Sequence, residues 1–148
     1  KHLPAPFKLL TIRFINRLLL KPSLKKCQFG LKNITTQHAF ITEKFVTTLY
    51  RYNKSEGALH AFLSILQNFA SFSGVRRKIT QLIEQNLKNI KQPVLVIWGK
   101  EDNLLPLSFS KNNIEKLPHH ELVVFESCGH LPQMEKPIAF NKLLLKFL

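Results

Sequence analysis

The run of five apolar residues at positions 94–98, Val-Leu-Val-Ile-Trp, restricts the fold of this chain more than any other feature. It is continuous, whereas a strand with one face in water alternates apolar with polar residues. A second continuous run, Leu-Val-Val-Phe, occupies positions 122–125. We therefore predict two parallel strands whose faces are both covered by other parts of the protein.

The segments after these strands predict helices. Pro106 begins and Pro118 ends a segment with apolar residues at helical spacing, and Pro137 opens a last helix that continues to Phe147. The order strand, helix, strand, helix predicts a right-handed βαβ unit followed by one more helix. Two parallel strands do not form a stable sheet alone, so residues 93–148 are expected to be part of a larger sheet.

Residues 1–92 predict a separate, mostly helical region. A first helix is indicated by an apolar stripe at positions 7, 10, 14, 15, 18 and 19. A second begins near Thr42, a third is capped by Ser55, and a fourth covers residues 75–90. Residues 21–40 are predicted to be irregular because they contain Pro22, Gly30 and many polar residues. The predicted domains are thus 1–92 and 93–148.

The charge of the chain is confined to the first of these regions. The net charge is +13, and residues 1–92 hold 16 Lys and Arg against 3 Asp and Glu, whereas residues 93–148 hold 6 of each. Such a region is typically a solvated basic face, although it could also attract an anionic partner. It carries no signature of an RNA-binding module or a helix-turn-helix, so no specific nucleic-acid partner is expected.

Composition also bears on the location of the protein. No apolar stretch approaches the roughly 20 residues that span a bilayer, so no transmembrane segment is expected. Cys27 and Cys128 lie far apart without C-x-x-C spacing, which indicates neither a disulfide framework nor a zinc site. These features favour a cytoplasmic location.

Two polar side chains follow the predicted strands. Asp102 comes shortly after the first and His130 shortly after the second, where open α/β sheets place their sites. A histidine can exchange a proton with a nucleophile, and a carboxylate on its other nitrogen fixes the tautomer. The pattern predicts a catalytic acid and a general base. Glu101, one position before Asp102, is expected to be a solvated neighbour, although it is the alternative acid in this register.

These motifs resemble a known family. Residues 93–102, 129–132 (Gly-His-Leu-Pro) and 135–137 (Glu-Lys-Pro) are similar to the last third of an α/β-hydrolase-fold protein, nearest to esterases, epoxide hydrolases and carbon–carbon-bond hydrolases. The resemblance implies an α/β fold, a C-terminal fragment with a helical cap followed by the last two parallel strands and their helices. It also implies that Asp102 is the catalytic acid and His130 the base, with no metal or organic cofactor.

The sequence departs from that family in one respect. It contains no G-x-S-x-G motif, so the nucleophile elbow is missing. We expect the chain to be inactive alone and to act on a small ester-like substrate only beside the missing N-terminal half of the fold. The alternative is a non-catalytic basic module that binds an anionic partner through residues 1–92.

We expect structural rather than catalytic roles for the other candidate residues, apart from a set of apolar side chains that could line a pocket. Cys128 is expected to be a small packed residue, and Ser73 and Ser127 lack the context of a nucleophile. Glu135 is expected to favour the N-terminal end of the last helix through the helix dipole. His119 and His120 are expected on the surface. Apolar side chains of the predicted third helix and beyond are expected to form core or a substrate pocket; they are Phe62, Leu63, Leu66, Phe69 and Phe72.

Overall fold

The structure, a computed structural model, describes residues 21–148 together with Lys8, Thr11 and Ile12. The stripe predicted for a first helix lies outside the described residues. Within them the chain forms two compact units. The first comprises residues 21–28 and Glu43–Ile83, and the second comprises Phe29–Thr42 and Glu84–Leu148. The second unit therefore takes in a segment that precedes residue 92, and the division into domains 1–92 and 93–148 stays a prediction.

Helix α1 (Leu24–Ile34) occupies a segment that was predicted to be irregular, so that prediction was wrong. The Ser23 hydroxyl caps the helix by accepting the N–H of Lys26 at 3.2 Å. Cys27 and Leu31, one turn apart, are both buried. Gly30 has open space around it and Pro22 precedes the cap, so neither interrupts the helix.

Helices α2 (Glu43–Lys54) and α3 (Ala58–Phe69) confirm two predicted helices. Val46 of α2 and Leu66 of α3 are buried. The predicted cap of α3 was wrong, because the Ser55 hydroxyl donates to the carbonyl of Tyr52 at 2.7 Å. Gly57, at φ +78°, precedes the helix instead, and glycine adopts this left-handed conformation without steric cost.

A short hairpin follows α3 and was not predicted. Strands β1 (Ala70–Ser71) and β2 (Gly74–Val75) pair antiparallel, and Gly74 has a φ of +120°. Two-residue strands carry too little sequence for an alternating pattern to emerge. The predicted fourth helix begins two residues late, as α4 (Arg77–Asn86), and a 3₁₀ turn at Leu87–Asn89 follows it.

The second unit contains the predicted parallel strands, β3 (Val94–Gly99) and β4 (His120–Phe125). Val94 lies opposite His120 and Gly99 opposite Phe125, so both strands end at the same edge. Residues 94–98 are half-buried rather than fully covered, because within the described residues β3 pairs with β4 alone.

The helices of the second unit agree in part with the sequence. The predicted helix between the strands is broken into a 3₁₀ turn, Leu107–Phe109, and α5 (Lys111–Ile114). This segment contains two Ser and two Asn residues, which have lower helix propensities than the residues typical of helix interiors. A single turn, α6 (Pro132–Glu135), precedes α7 (Pro137–Phe147), which confirms the predicted last helix. None of the helices in the described ranges is long and apolar enough to cross a membrane.

Candidate functional site

Asp102 and His130 meet where β3 and β4 end. The Nδ1 atom of His130 lies 2.9 Å from Oδ2 of Asp102, which is hydrogen-bonding distance. The Asp102 side chain is 5% exposed and that of His130 is 27% exposed. The two residues predicted from the sequence are thus brought together, with the carboxylate buried and the imidazole partly open.

The second carboxylate oxygen of Asp102 is held by its own loop. Oδ1 accepts the N–H groups of Leu104 at 3.0 Å and Leu105 at 2.8 Å. The Trp98 indole N–H donates to the carbonyl of Leu105 at 3.0 Å, which ties this loop to the end of β3. Because a carboxylate only accepts hydrogen bonds, Nδ1 of His130 must carry the proton. Nε2 is then the nitrogen that can accept one.

A small cavity of about 120 Å³ lies beside this pair. It is lined by the end of β3, the acid loop and the start of α6; the lining residues are Ile97, Trp98, Gly99, Asp102, Leu105, His130 and Pro132. Sites for whole organic ligands usually measure about 300–1,000 Å³. The cavity therefore has room for the reacting group of a substrate beside His130, and not for a complete substrate.

Glu101 does not take the place of Asp102. Its carboxylate accepts the N–H of Cys128 at 2.8 Å, and its own N–H donates to the carbonyl of Cys128 at 3.0 Å. The Cys128 amide is the main influence that lowers the pKa of Glu101, although burial opposes it. The expectation of a merely solvated neighbour was wrong, since Glu101 joins the loop after β3 to the loop after β4.

Cys128 is packed, as predicted. It is 0% exposed, and burial followed by the negative charge of Glu135 raises the pKa of its thiol to about 11. A thiol must ionise before it acts as a nucleophile. Cys128 is therefore almost entirely protonated near neutral pH, and it is a packed residue of the loop after β4, residues 126–131, here called the histidine loop.

The contacts of Glu135 were not predicted from the sequence. The side chain binds four backbone amides, none of which belongs to α7, and the expected helix-dipole role stays a prediction. Oε2 accepts the N–H groups of Thr36 at 2.7 Å, Gln37 at 2.9 Å and Gly129 at 2.9 Å. Oε1 accepts that of Leu131 at 3.1 Å. Burial raises the pKa of Glu135, but these amides together outweigh it and hold the pKa below its ordinary value.

The remaining candidates do not join this pair. The Ser73 hydroxyl lies 2.8 Å from that of Ser71 in the hairpin, and Ser127 forms a turn with φ 48°. His119 and His120 are exposed, as predicted. Within the described ranges no three His, Cys, Asp or Glu side chains are grouped as metal ligands.

The apolar side chains of the predicted core or pocket fall into two groups. Leu66 is buried and Leu63 is half-buried, whereas the three phenylalanines are exposed. Phe62, Phe69 and Phe72 are 42%, 41% and 61% exposed, so they are not core among the described residues. A cavity of about 590 Å³ in the first unit includes Phe72, but its wall is mostly polar. The core expectation is therefore wrong for these three phenylalanines, and the substrate pocket stays a prediction.

Comparison with known proteins places this geometry in a family. Residues 31–137 match the family model described as the alpha/beta hydrolase fold. The chain belongs to the alpha/beta hydrolase fold family. The matched residues contain β3, β4, Asp102, His130 and Glu135, so the family covers the whole candidate site. The α/β fold class inferred from the sequence is confirmed.

Several curated relatives of this α/β-hydrolase chain are named as hydrolases of 2-hydroxy-6-oxo acids. A 2-hydroxy-6-oxononadienedioate/2-hydroxy-6-oxononatrienedioate hydrolase of Comamonas testosteroni is 29% identical over 137 residues, covering 93% of this chain and 46% of the relative. The protein of that name from Paraburkholderia phymatum is 39% identical over 83 residues, which are 56% of this chain and 29% of the relative. This chain thus spans less than half the length of either relative.

Solved structures show the same fold. The 2-hydroxy-6-oxo-6-phenylhexa-2,4-dienoate hydrolase of Rhodococcus sp. strain RHA1 superposes with a TM-score of 0.65 at 20% identity, covering 97% of this chain and 50% of that one. Cfl2 of Burkholderia cenocepacia gives a TM-score of 0.73 at 17% identity, covering 96% and 46%. At these identities the likeness concerns the fold alone.

Proposed function

We propose that this α/β-hydrolase chain supplies the catalytic acid, Asp102, and the general base, His130, of a nucleophile–histidine–acid relay. The observation that carries the proposal is the 2.9 Å hydrogen bond between His130 Nδ1 and the buried carboxylate of Asp102. It leaves Nε2 as the proton acceptor beside the 120 Å³ cavity. This is the arrangement that a relay of this class requires.

The proposed chemistry follows from the two ring nitrogens. Nε2 of His130 takes a proton from the attacking hydroxyl or water and later gives it to the leaving group. While the ring carries both protons, the carboxylate of Asp102 stabilises the positive charge and keeps Nδ1 oriented. In the net reaction water adds across the cleaved bond, so no redox partner or cofactor enters the balance.

The nucleophile is proposed to come from residues other than these 148. The sequence has no G-x-S-x-G motif, and Cys128 is buried with a raised pKa. A serine, or less often an aspartate, presented by the remainder of an α/β-hydrolase sheet would complete the relay. The chain alone is then expected to be inactive.

We propose a substrate with an activated carbonyl, in which a carbon–carbon bond next to that carbonyl is cleaved. Support comes from the names of relatives that align with most of the chain, such as the Comamonas testosteroni hydrolase and the 2-hydroxy-6-oxo-6-phenylhexa-2,4-dienoate hydrolase of Burkholderia cepacia, which is 28% identical over 143 residues. Ester hydrolysis uses the same proton transfers and is the second activity to assay. A cytoplasmic location is part of the same proposal.

The test joins this chain to the N-terminal part of the Comamonas testosteroni relative and follows consumption of a 2-hydroxy-6-oxo-dienoate and of a chromogenic ester. Asp102→Asn should lower kcat by about 10⁴-fold and His130→Ala by about 10⁶-fold. Glu126→Gln, which removes an exposed carboxylate 2.7 Å from Lys100, is the matched control. Unchanged rates in either site variant would refute the assignment, and the faster substrate decides the reaction class.

A second candidate is a basic module that binds an anionic partner. All twelve described Lys and Arg residues between positions 21 and 92 are exposed. Binding of anionic vesicles or nucleic acid that weakens steeply with added salt would support this candidate. Absence of binding at low salt would exclude it.

A further inference from the structure

The backbone N–H groups of three consecutive residues, 129–131, donate to acceptors that lie elsewhere in the chain. The N–H of Gly129 and that of Leu131 donate to the two oxygens of Glu135, at 2.9 and 3.1 Å. The N–H of His130 itself donates to the carbonyl of Ile34 at 2.8 Å. The peptide planes on both sides of the imidazole are therefore fixed.

The same carboxylate binds a distant part of the chain. Oε2 of Glu135 also accepts the N–H groups of Thr36 and Gln37, which are almost a hundred residues earlier in the sequence. Residues 34–37, here called the strap, thus contact the histidine loop through Glu135 and through the Ile34 carbonyl. Both partners belong to the second unit.

The packing leaves no room for the loop to move toward the strap. A β-carbon on Gly129 would lie 2.7 Å from the Ile34 carbonyl oxygen and 2.9 Å from Cα of Thr35. These are backbone atoms, which cannot rotate away as a flexible side chain can. The strap and the histidine loop are in direct backbone contact, and the buried Glu135 carboxylate lies against both.

We propose that Glu135 is a positioning residue that, together with the strap, holds His130 in register with Asp102. This inference rests on the proposed function of the pair, because Glu135 matters to chemistry only through His130. Glu135 touches neither the imidazole nor Asp102 by hydrogen bond in the described residues, so it is not a catalytic residue. It acts on the backbone that carries the imidazole.

The carboxylate is the group that this position requires. Four N–H donors converge on two oxygens, and a carboxylate offers about four acceptor positions with no donor. In Glu135→Gln one oxygen becomes an NH₂ group, which would face an N–H donor and leave it unsatisfied. A buried donor without a partner costs about 1–3 kcal/mol, or roughly 5- to 150-fold in a local opening equilibrium.

The test uses the 148-residue chain and does not depend on activity. Hydrogen exchange of the Gly129, His130, Leu131, Thr36 and Gln37 amides and the NMR resonance of the His130 Nδ1 proton are measured in wild type, Glu135→Gln and Glu126→Gln. In Glu135→Gln we expect about tenfold or faster exchange at these amides and loss of the Nδ1 proton resonance through exchange with solvent. Glu126→Gln should match wild type.

Two results would overturn the proposal. One is an unchanged Nδ1 proton resonance in Glu135→Gln, which would show that Glu135 does not position His130. The other is unfolding of the whole chain by Glu135→Asp, which keeps the charge, since that would make the residue a general element of stability. Glu135→Asp should instead stay folded and retain the resonance in part.

Kinetics of the joined hydrolase separate this inference from the proposed function. Glu135→Gln should lower kcat about tenfold or more while KM stays within about twofold of wild type. If His130→Ala keeps full activity while Glu135→Gln loses the Nδ1 resonance, the function assigned to the pair fails and the positioning stands. If His130→Ala keeps the wild-type rate and Glu135→Gln keeps the wild-type Nδ1 resonance, both proposals fail.

Discussion

Gly99 packs directly against the backbone of Gly129. A β-carbon on Gly99 would overlap the carbonyl oxygens of Gly129 and Cys128, and it would lie 2.7 Å from the carbonyl carbon of Cys128. Gly99 ends β3, and Gly129 immediately precedes His130. The missing side chain is what allows the histidine loop to lie over the end of the strand that leads to Asp102.

This contact predicts the effect of a single methyl group. Gly99→Ala should destabilise the chain by at least about 2 kcal/mol, because the obstructing atoms are backbone and cannot move aside. The change is read from the midpoint of urea unfolding. Gly30→Ala is the matched control, since nothing lies within 4 Å of the added carbon on helix α1. That variant should gain about 0.5–1 kcal/mol, and a similar loss in both would contradict the packing explanation.

Replacing the acid should affect structure as well as rate. In Asp102→Asn one oxygen becomes a donor, so the side chain cannot accept from both the Leu104–Leu105 amides and His130 without changing the tautomer of the ring. We expect a loss of about 1–3 kcal/mol of unfolding free energy, because the group is buried. Chemical denaturation measures it. Equal stability of the variant and wild type would show that the carboxylate is not held as described.

The stability of the fold should depend on pH through Glu135. Its folded-state pKa is lowered below the ordinary value of 4.5, so the carboxylate contributes its full stability above that value. The contribution is lost as the pH falls through the folded-state pKa. Urea midpoints of wild type should therefore decline below about pH 4.5, and Glu135→Gln should decline less steeply. Parallel curves for the two proteins would assign the acid dependence to other carboxylates.

Cys128 should be unreactive while the chain is folded. Its thiol is 0% exposed and has a pKa of about 11, so a thiol reagent near neutral pH meets neither an accessible nor an ionised sulfur. Reaction of the Cys27→Ala variant with a chromogenic disulfide should be limited by opening of the structure. In denaturant it should become at least about a hundredfold faster. Fast labelling of the folded variant would contradict the burial.

The acid–histidine pair could be predicted because its determinants are local. Each residue follows a continuous apolar strand within five positions, and parallel strands deliver the following loops to one edge. The strand pattern alone does not distinguish Asp102 from Glu101, whereas the family resemblance implies Asp102. Both carboxylates follow the same strand, and it is the hydrogen bond of Glu101 with Cys128 that removes it from the choice.

Glu135 and the strap could not be found in this way. Thr36 and Gln37 contribute only their backbone N–H groups, which nearly every residue type can provide, so the sequence does not reveal them. They are also 99 and 98 residues from Glu135. The sequence did contain one signal. Glu135 follows His130 by five positions and has no basic residue three or four positions away, so its partner had to lie elsewhere in the chain. Helix α1 could not be predicted in this way, because Pro22 and Gly30 are typical of irregular segments and the burial of Cys27 and Leu31 is known only from the structure.

The order of the two units along the chain has a consequence for loop closure. The chain leaves the second unit after Thr42 and returns to it at Glu84, and the strap, Glu135, Asp102 and His130 all belong to that unit. Helices α2 and α3 and the hairpin therefore lie in sequence between the strap and the strands that lead to Asp102 and His130. The hydrogen bond between Thr36 and Glu135 closes a loop that contains this segment, and the entropic cost of closing a loop grows only slowly with its length. Residues added to or removed from the segment should therefore change the cost of that closure little.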